Sequence, residues 1–234
     1  MYICFMKNIV VFTGAGISAE SGLGTFRDSD GLWEEYRIED VATLDAFQRN
    51  PSLVLDFYNI RRKQLLASSP NNAHIALNKL KEKFNLSIIT QNIDDLHERS
   101  GSIEVLHLHG KLRESRSTID NEVYLIEGSD LNIGDFCQKG GQLRPNVVWF
   151  GEDVPNMEKA IQIVLKADIF IIIGTSLNVY PAASLIDYTS NAERVILIDP
   201  KSSFYDGIEV ICQKATQSVP QLVDELLDLY KNDK

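Results

Sequence analysis

The chain has 234 residues, 44% of them hydrophobic, with 33 acidic against 23 basic side chains and a formal net charge of −10. That length suits one large domain, or a domain carrying a smaller module, with a core that needs no covalent staples. The acidic balance argues against nucleic acid or an anionic membrane as partner, and three scattered cysteines, Cys4, Cys137 and Cys212, exclude a disulfide framework.

The N-terminal run MYICFMKNIVVF is short, carries Lys7 and passes into polar TGAG with no cleavage-like site. It reads as a first buried strand, Ile9 to Phe12, and not as a signal peptide. No stretch reaches the roughly 18 apolar residues of a membrane span, so the cytoplasm is the expected compartment. Gly14, Ala15, Gly16 and the small Ala19 then give the G-x-G-x-x-G/A spacing between strand and helix. Such a turn brings backbone close to a pyrophosphate and offers it the N–H groups of a helix start. A dehydrogenase would place an acid about 20 positions on, at the tip of a second strand. Glu34 and Glu35 have that offset but follow Phe26-Arg27-Asp28-Ser29-Asp30-Gly31-Leu32-Trp33, which is no strand. Hydride transfer is disfavoured accordingly.

Residues 34–69 predict helices, Thr43 to Gln48 and Pro51 to Leu66, with Pro51 in a first turn. An amphipathic helix follows from His74 to Phe84. Short apolar runs come next: Leu86 to Ile89, Val147 to Phe150, Ile169 to Ile173 and Val195 to Ile198. They do not alternate, as expected of central parallel strands covered on both faces. Helices are predicted over Met157 to Lys166 and Val219 to Tyr230. Residues 111–143 are polar and glycine-bearing and read as an insertion, like the helical stretch before them. The fold class is therefore α/β, a doubly wound parallel sheet with inserted smaller modules.

Ligands of such sheets bind beyond the carboxyl ends of the strands. Those ends carry Thr90, Gln91, Asn92 and Asp94, then Gly174, Thr175 and Ser176, then Asp199. Amides and hydroxyls suit ribose and an amide-bearing base, though each could equally cap a turn. His107 and His109 alternate and so face opposite ways in an extended segment. His109, before Gly110, is the better candidate for a base; His74 and His97 read as structural.

In combination these motifs are specific. GAGISAESG from Gly14, Thr25-Phe26-Arg27, Thr90-Gln91-Asn92-Ile93-Asp94, His109-Gly110, Arg144 to Glu152, Gly174-Thr175-Ser176 and Val179-Tyr180-Pro181 occur in one order. From about Lys7 to Leu229 the chain resembles the sirtuins, NAD-dependent protein lysine deacylases, and within them the bacterial CobB-type, desuccinylase-like group. The resemblance implies a Rossmann-like NAD-binding domain over 1–33, 74–110 and 144–234. It implies a small domain of a helical module, 34–73, and a remnant of a zinc module, 111–143. It assigns NAD contacts to Gly14, Ala15, Gly16, Phe26, Arg27, Gln91, Asn92, Asp94, Gly174, Thr175, Ser176, Asp199 and Ala215, with His109, Asn92 and Asp94 in catalysis. Val148, Trp149, Phe150, Gly151 and Glu152, with Val179 and Tyr180 opposite, would receive the acyl-lysine peptide as an added strand.

The family's two cysteine pairs are missing from 111–143, where Cys137 stands alone, so no zinc is expected. Packing by Val123, Tyr124, Leu125, Leu131 and Phe136 would take the metal's place. Tyr58 and Arg61 share a helix face three residues apart and match the pair that holds the distal acid of succinyl- or malonyl-lysine in desuccinylase-like relatives. The implied reaction yields nicotinamide, O-acyl-ADP-ribose and free lysine. Mono-ADP-ribosyl transfer and a non-catalytic NAD or acyl-lysine binding module are the alternatives. A monomer is compatible with the sequence.

Overall fold

The computed structural model describes residues 6–24, 36–202 and 206–229. Its strands are β1 (Asn8–Thr13), β2 (Asn85–Thr90), β3 (Val105–His107), β4 (Gly110–Ser117), β5 (Val123–Leu125), β6 (Leu143–Val147), β7 (Ile169–Ile173), β8 (Arg194–Ile198) and β9 (Glu209–Ile211). Its α-helices are α1 (Gly16–Ala19), α2 (Ile38–Val41), α3 (Leu44–Arg49), α4 (Pro51–Ala67), α5 (Asn72–Leu77), α6 (Leu96–Arg99), α7 (Met157–Val164) and α8 (Ala215–Leu229).

Six strands form a parallel sheet in the order β3-β2-β1-β7-β8-β9. The chain works outward from β1 in one direction, then returns to β7 and works outward in the other. The β1/β7 boundary is thus the switch point at which a doubly wound sheet opens a crevice. Both faces of the sheet are covered, which explains the non-alternating apolar runs. Ile9 and Val11 pack with α5 and α8 on one side, while Val10 and Phe12 pack with α7 on the other.

Three expectations are corrected. Val147 to Phe150 is not a central parallel strand. Only Val147 is in β6, which pairs antiparallel with β4 in a separate sheet of order β5-β4-β6. Val147 and Trp149 are apolar because they face α4, in a core shared with Phe47, Leu55 and Phe57. The helix predicted from His74 is α-helical only to Leu77 and continues as a 3-10 segment, Asn78–Glu82. The last helix starts at Ala215, with Pro220 inside its second turn.

The insertion 111–143 supplies β5 and nearly all of β4, while β6 starts at its last residue and runs on to Val147. Val123, Leu125 and Phe136 were expected to pack in place of a metal, but they are 50%, 70% and 60% exposed. Of the expected residues Leu131 does bury, joined by Leu112 and Ile126, against α4. Polar contacts complete the docking. Asn59 exchanges hydrogen bonds with the backbone of Leu131, at 3.1 and 3.0 Å. Arg62, fully buried, donates to Leu112 O at 2.8 Å, to Asn59 Oδ1 at 2.8 Å and to Ser129 O. The Cys137 thiol is buried and accepts from Ser117 Oγ and from the Gly141 N–H. Among the described residues no three His, Cys, Asp or Glu side chains gather to hold a metal ion. Purified protein is therefore expected to carry far less than one zinc per chain by elemental analysis, and a chelator is expected to leave its unfolding curve unmoved.

Behind the sheet ends, His74 and His97 are buried edge to face, ring centroids 5.0 Å apart. His74 caps α5 with Asn71, and His97 Nε2 meets Thr13 Oγ1 at 3.0 Å. Burial pushes both imidazoles well below their ordinary 6.5, so they stay neutral in the fold. The unfolded chain takes up protons below about pH 6.5 that these rings refuse, so stability falls as pH drops through that value. The unfolding free energy read from urea curves is expected to fall, from pH 7 down to 5.5, at up to about 1.4 kcal/mol per pH unit per ring. His97→Gln should flatten that slope, and an unchanged slope would count against it.

Candidate active site

Two loops at the switch point interlock. Gly14 N donates to Ile173 O at 2.9 Å and Gly16 N to Gly174 O at 2.8 Å. A Cβ on Gly16 would fall 2.6 Å from Gly174 Cα, and one on Gly174, at φ +64°, would fall 2.4 Å from Ile17 N. The glycines therefore serve first to let the β1 and β7 loops touch. This modifies the expectation of free N–H groups at α1. Gly16, Ile17 and Ser18 donate to Gly174, Gly14 and Ala15, and α1 is a single turn.

Around this turn lies a polar ring. Asn92 is buried, and its amide donates to Gly14 O at 3.1 Å and to Ser18 Oγ at 3.2 Å. Ser18 Oγ donates to Asp94 Oδ2 at 3.0 Å, and Asp94 Oδ1 accepts from Leu96 N. Burial pushes the Asp94 carboxyl up. Gln91 Nε2 donates to Thr175 Oγ1 at 3.0 Å, which ties the β2 end to the β7 end. Ser176 follows, half-buried. Asp199 sits beyond β8 and accepts from Lys201 N at 2.8 Å, while Ala215, buried, begins α8. The structure thus brings Gly14, Ala15, Gly16, Gln91, Asn92, Asp94, Gly174 and Thr175 together at one sheet edge. Phe26 and Arg27 lie outside the described residues.

Ser18 was missed in the sequence, although it joins Asn92 to Asp94. Its signal was a small polar residue on the inward side of an otherwise apolar turn.

The two histidines divide as expected. His107 is buried between Asn92 O, 2.9 Å from Nδ1, and Glu98 Oε1, 2.8 Å from Nε2. His109 is half-buried, with Nδ1 3.0 Å from Gln91 O. A carbonyl only accepts, so Nδ1 carries the proton and Nε2 keeps its lone pair. Burial pushes this imidazole down, against the raising effect of the Gln91 carbonyl. Gly110, at φ +81°, lets the chain turn from His109 into β4, where a Cβ would fall 2.0 Å from Asn146 O.

On α4, Tyr58 is 2% exposed and accepts from Trp149 Nε1 at 3.0 Å. Burial pushes its hydroxyl up to about 12. The Arg61 guanidinium stands 5.8 Å from the centre of the Phe57 ring and within electrostatic reach of Tyr58 and Asp94. Helix α4 therefore presents Arg61 toward the polar ring. Arg61 is half-buried, and partial desolvation pulls its guanidinium down.

The segment expected to pair with a peptide already uses its donors. Val148, Trp149 and Phe150 N–H groups bond His109 O, Glu152 Oε2 and Ala42 O. The Glu152 carboxylate is held by Arg144 and Arg116 at 2.7 and 2.8 Å. Trp149 is buried. What faces outward is Phe150, 48% exposed, with Val179 and Tyr180 at 40% and 73%. Gly151, at φ +89°, has open space around it.

A Rossmann-type sheet with a glycine turn at its switch point, ringed by amides, a carboxyl and a histidine whose Nε2 has no hydrogen-bond partner among the described residues, has the layout of a nucleotide-binding site. The Sir2 family model matches residues 14–181, and the chain belongs to that family. It is 50% identical over 231 residues to an NAD-dependent protein deacylase of Bacteroides thetaiotaomicron, covering 95% of this chain and 99% of that one. A solved Sir2 homolog–NAD complex superposes with a TM-score of 0.86 at 39% identity, covering 96% and 91% of the two chains. A Sir2–p53 peptide–NAD+ complex gives 0.78 at 32%, covering 94% of each. No described helix is long and apolar enough to cross a membrane.

Proposed function

We propose that the protein removes acyl groups from lysine side chains of other proteins with consumption of NAD, and that succinyl- and malonyl-lysine are preferred over acetyl-lysine. The observation that carries the reaction is His109, whose Nδ1 is committed to Gln91 O and whose Nε2 is left as the base. The donor set at the sheet edge fits NAD: the carboxamides of Gln91 and Asn92 suit an amide-bearing ring, and Thr175, Ser176 and Asp199 suit ribose hydroxyls. NAD would supply an activated ribose carbon that the acyl amide oxygen can attack as nicotinamide leaves.

His109 Nε2 would take the proton of a ribose hydroxyl so that its oxygen can bond the acyl carbon; one water is then consumed as the C–N bond breaks and free lysine and O-acyl-ADP-ribose leave. Asn92 and Asp94, braced by Ser18, would hold that ribose side in place. Residues 34–73 and 111–143 would form the module that overhangs the crevice and excludes water. Phe150, Val179 and Tyr180 would flank the peptide.

Acyl choice would rest on Arg61 and Tyr58, a guanidinium fork and a hydroxyl facing the distal carboxylate. The test is one peptide sequence bearing acetyl-, succinyl- or malonyl-lysine, incubated with NAD and read by mass spectrometry. Loss of the acyl mass together with O-acyl-ADP-ribose supports the reading. Nicotinamide release without free lysine would favour ADP-ribosyl transfer, and binding without turnover a non-catalytic module.

A further inference from the structure

We infer that Trp149 is a positioning residue for acyl selectivity, its indole N–H fixing the direction in which the Tyr58 hydroxyl offers its proton. The inference rests on the carboxylate-pocket reading just given. An indole Nε1–H can only donate. It lies 3.0 Å from the Tyr58 oxygen, so that oxygen is the acceptor and its own O–H must point elsewhere. Among the described residues the hydrogen bonds include none in which the Tyr58 hydroxyl donates to a protein acceptor. A buried hydroxyl that accepts on one side and keeps its proton on the other is set up to donate to an arriving carboxylate. Burial keeps it protonated at any working pH.

The indole is itself held on several sides. The Arg144 guanidinium lies 3.4 Å from the centre of its ring, and the Phe47 ring is 5.4 Å away. Arg144 is fixed by both oxygens of Glu152, at 2.7 and 2.9 Å, and by Val147 O at 3.0 Å. The Trp149 backbone N–H also bonds Glu152, at 2.8 Å. The direction of one proton on α4 is thus set by an ion pair on the far side of the tryptophan. A purely packing role would need the ring but not its N–H.

The experiment is a double-mutant cycle read as the ratio of kcat/KM for succinyl- over acetyl-lysine peptide, in the parent, Trp149→Phe, Tyr58→Phe and the double variant. General damage from the smaller ring divides out of the ratio. Trp149→Phe is expected to lower the ratio about 2- to 12-fold, the factor one neutral hydrogen bond carries, mainly through KM for the succinyl peptide. In the Tyr58→Phe background it is expected to change the ratio no further. A parent-like ratio in Trp149→Phe, or the same drop in both backgrounds, overturns the inference. If Tyr58→Phe itself leaves the ratio unmoved, the carboxylate pocket falls, and the role of Trp149 with it. Should Trp149→Phe not fold, 3-benzothienylalanine at position 149 keeps the bicyclic ring and lacks only the N–H. It must then give the same drop, and a parent-like ratio is again the overturning result.

Discussion

Arg61→Met is expected to reverse the acyl preference, so that acetyl-lysine becomes the better substrate. Methionine keeps most of the bulk and removes the charge. A carboxylate facing a desolvated guanidinium gains charge-assisted hydrogen bonds worth about 1.5–3 kcal/mol. Their loss should lower kcat/KM on the succinyl peptide by about 10- to 150-fold. Acetyl-lysine brings no distal acid and loses no such bond, so its rate should hold or rise. The ratio of the two rates is the quantity to read. An equal fall on both peptides would make Arg61 a structural residue, and a parent that already prefers acetyl-lysine would refute the pocket.

Removing the base should be at least as severe. His109→Ala is expected to cut deacylation by at least about 100-fold, the lower end of what a positioned base contributes, with NAD binding and thermal unfolding close to the parent's. Activity within a few-fold of the parent would end the assignment. A pH profile gives a second handle. Nε2 works only when the ring is neutral, so activity falls as pH drops through the pKa of His109. Burial lowers that pKa, so the acid limb of kcat/KM should lie below the ordinary histidine value of about 6.5. A limb above 6.5 would contradict the buried, neutral imidazole.

The strands of the large sheet were legible because both of their faces are covered. Ile169–Ile173 is buried at every position, and a run of four isoleucines and a phenylalanine has few other uses. The same reasoning misplaced Val147 to Phe150, because an apolar run does not reveal which partner buries it; here the partner is α4 and not a sheet neighbour. His109 and the residues after β2 were legible from their place at strand ends. Ser18 and Arg62 were not, since their roles arise from contacts with residues far along the chain, Asp94 and Leu112. Arg62 adjoins a second cation, Arg61, in the chain, yet it is fully buried. The packing expected of Val123, Leu125 and Phe136 failed for a related reason. Strand β5 is the edge of a three-stranded sheet, and two of its three side chains point to solvent.

Arg61 and Arg62 leave α4 at consecutive positions, about 100° apart around its axis. One faces the polar ring and the other grips the loop at Leu112 and Ser129. The residue proposed to meet the acyl tail and the mooring of the small sheet therefore stand on one helix. A residue inserted or deleted between Ile126 and Leu131 would pull on Asn59 and Arg62 and so turn or slide that helix. If Arg61 reads the acyl tail as proposed, a change of loop length in this stretch would alter acyl choice without replacing any residue that meets the substrate.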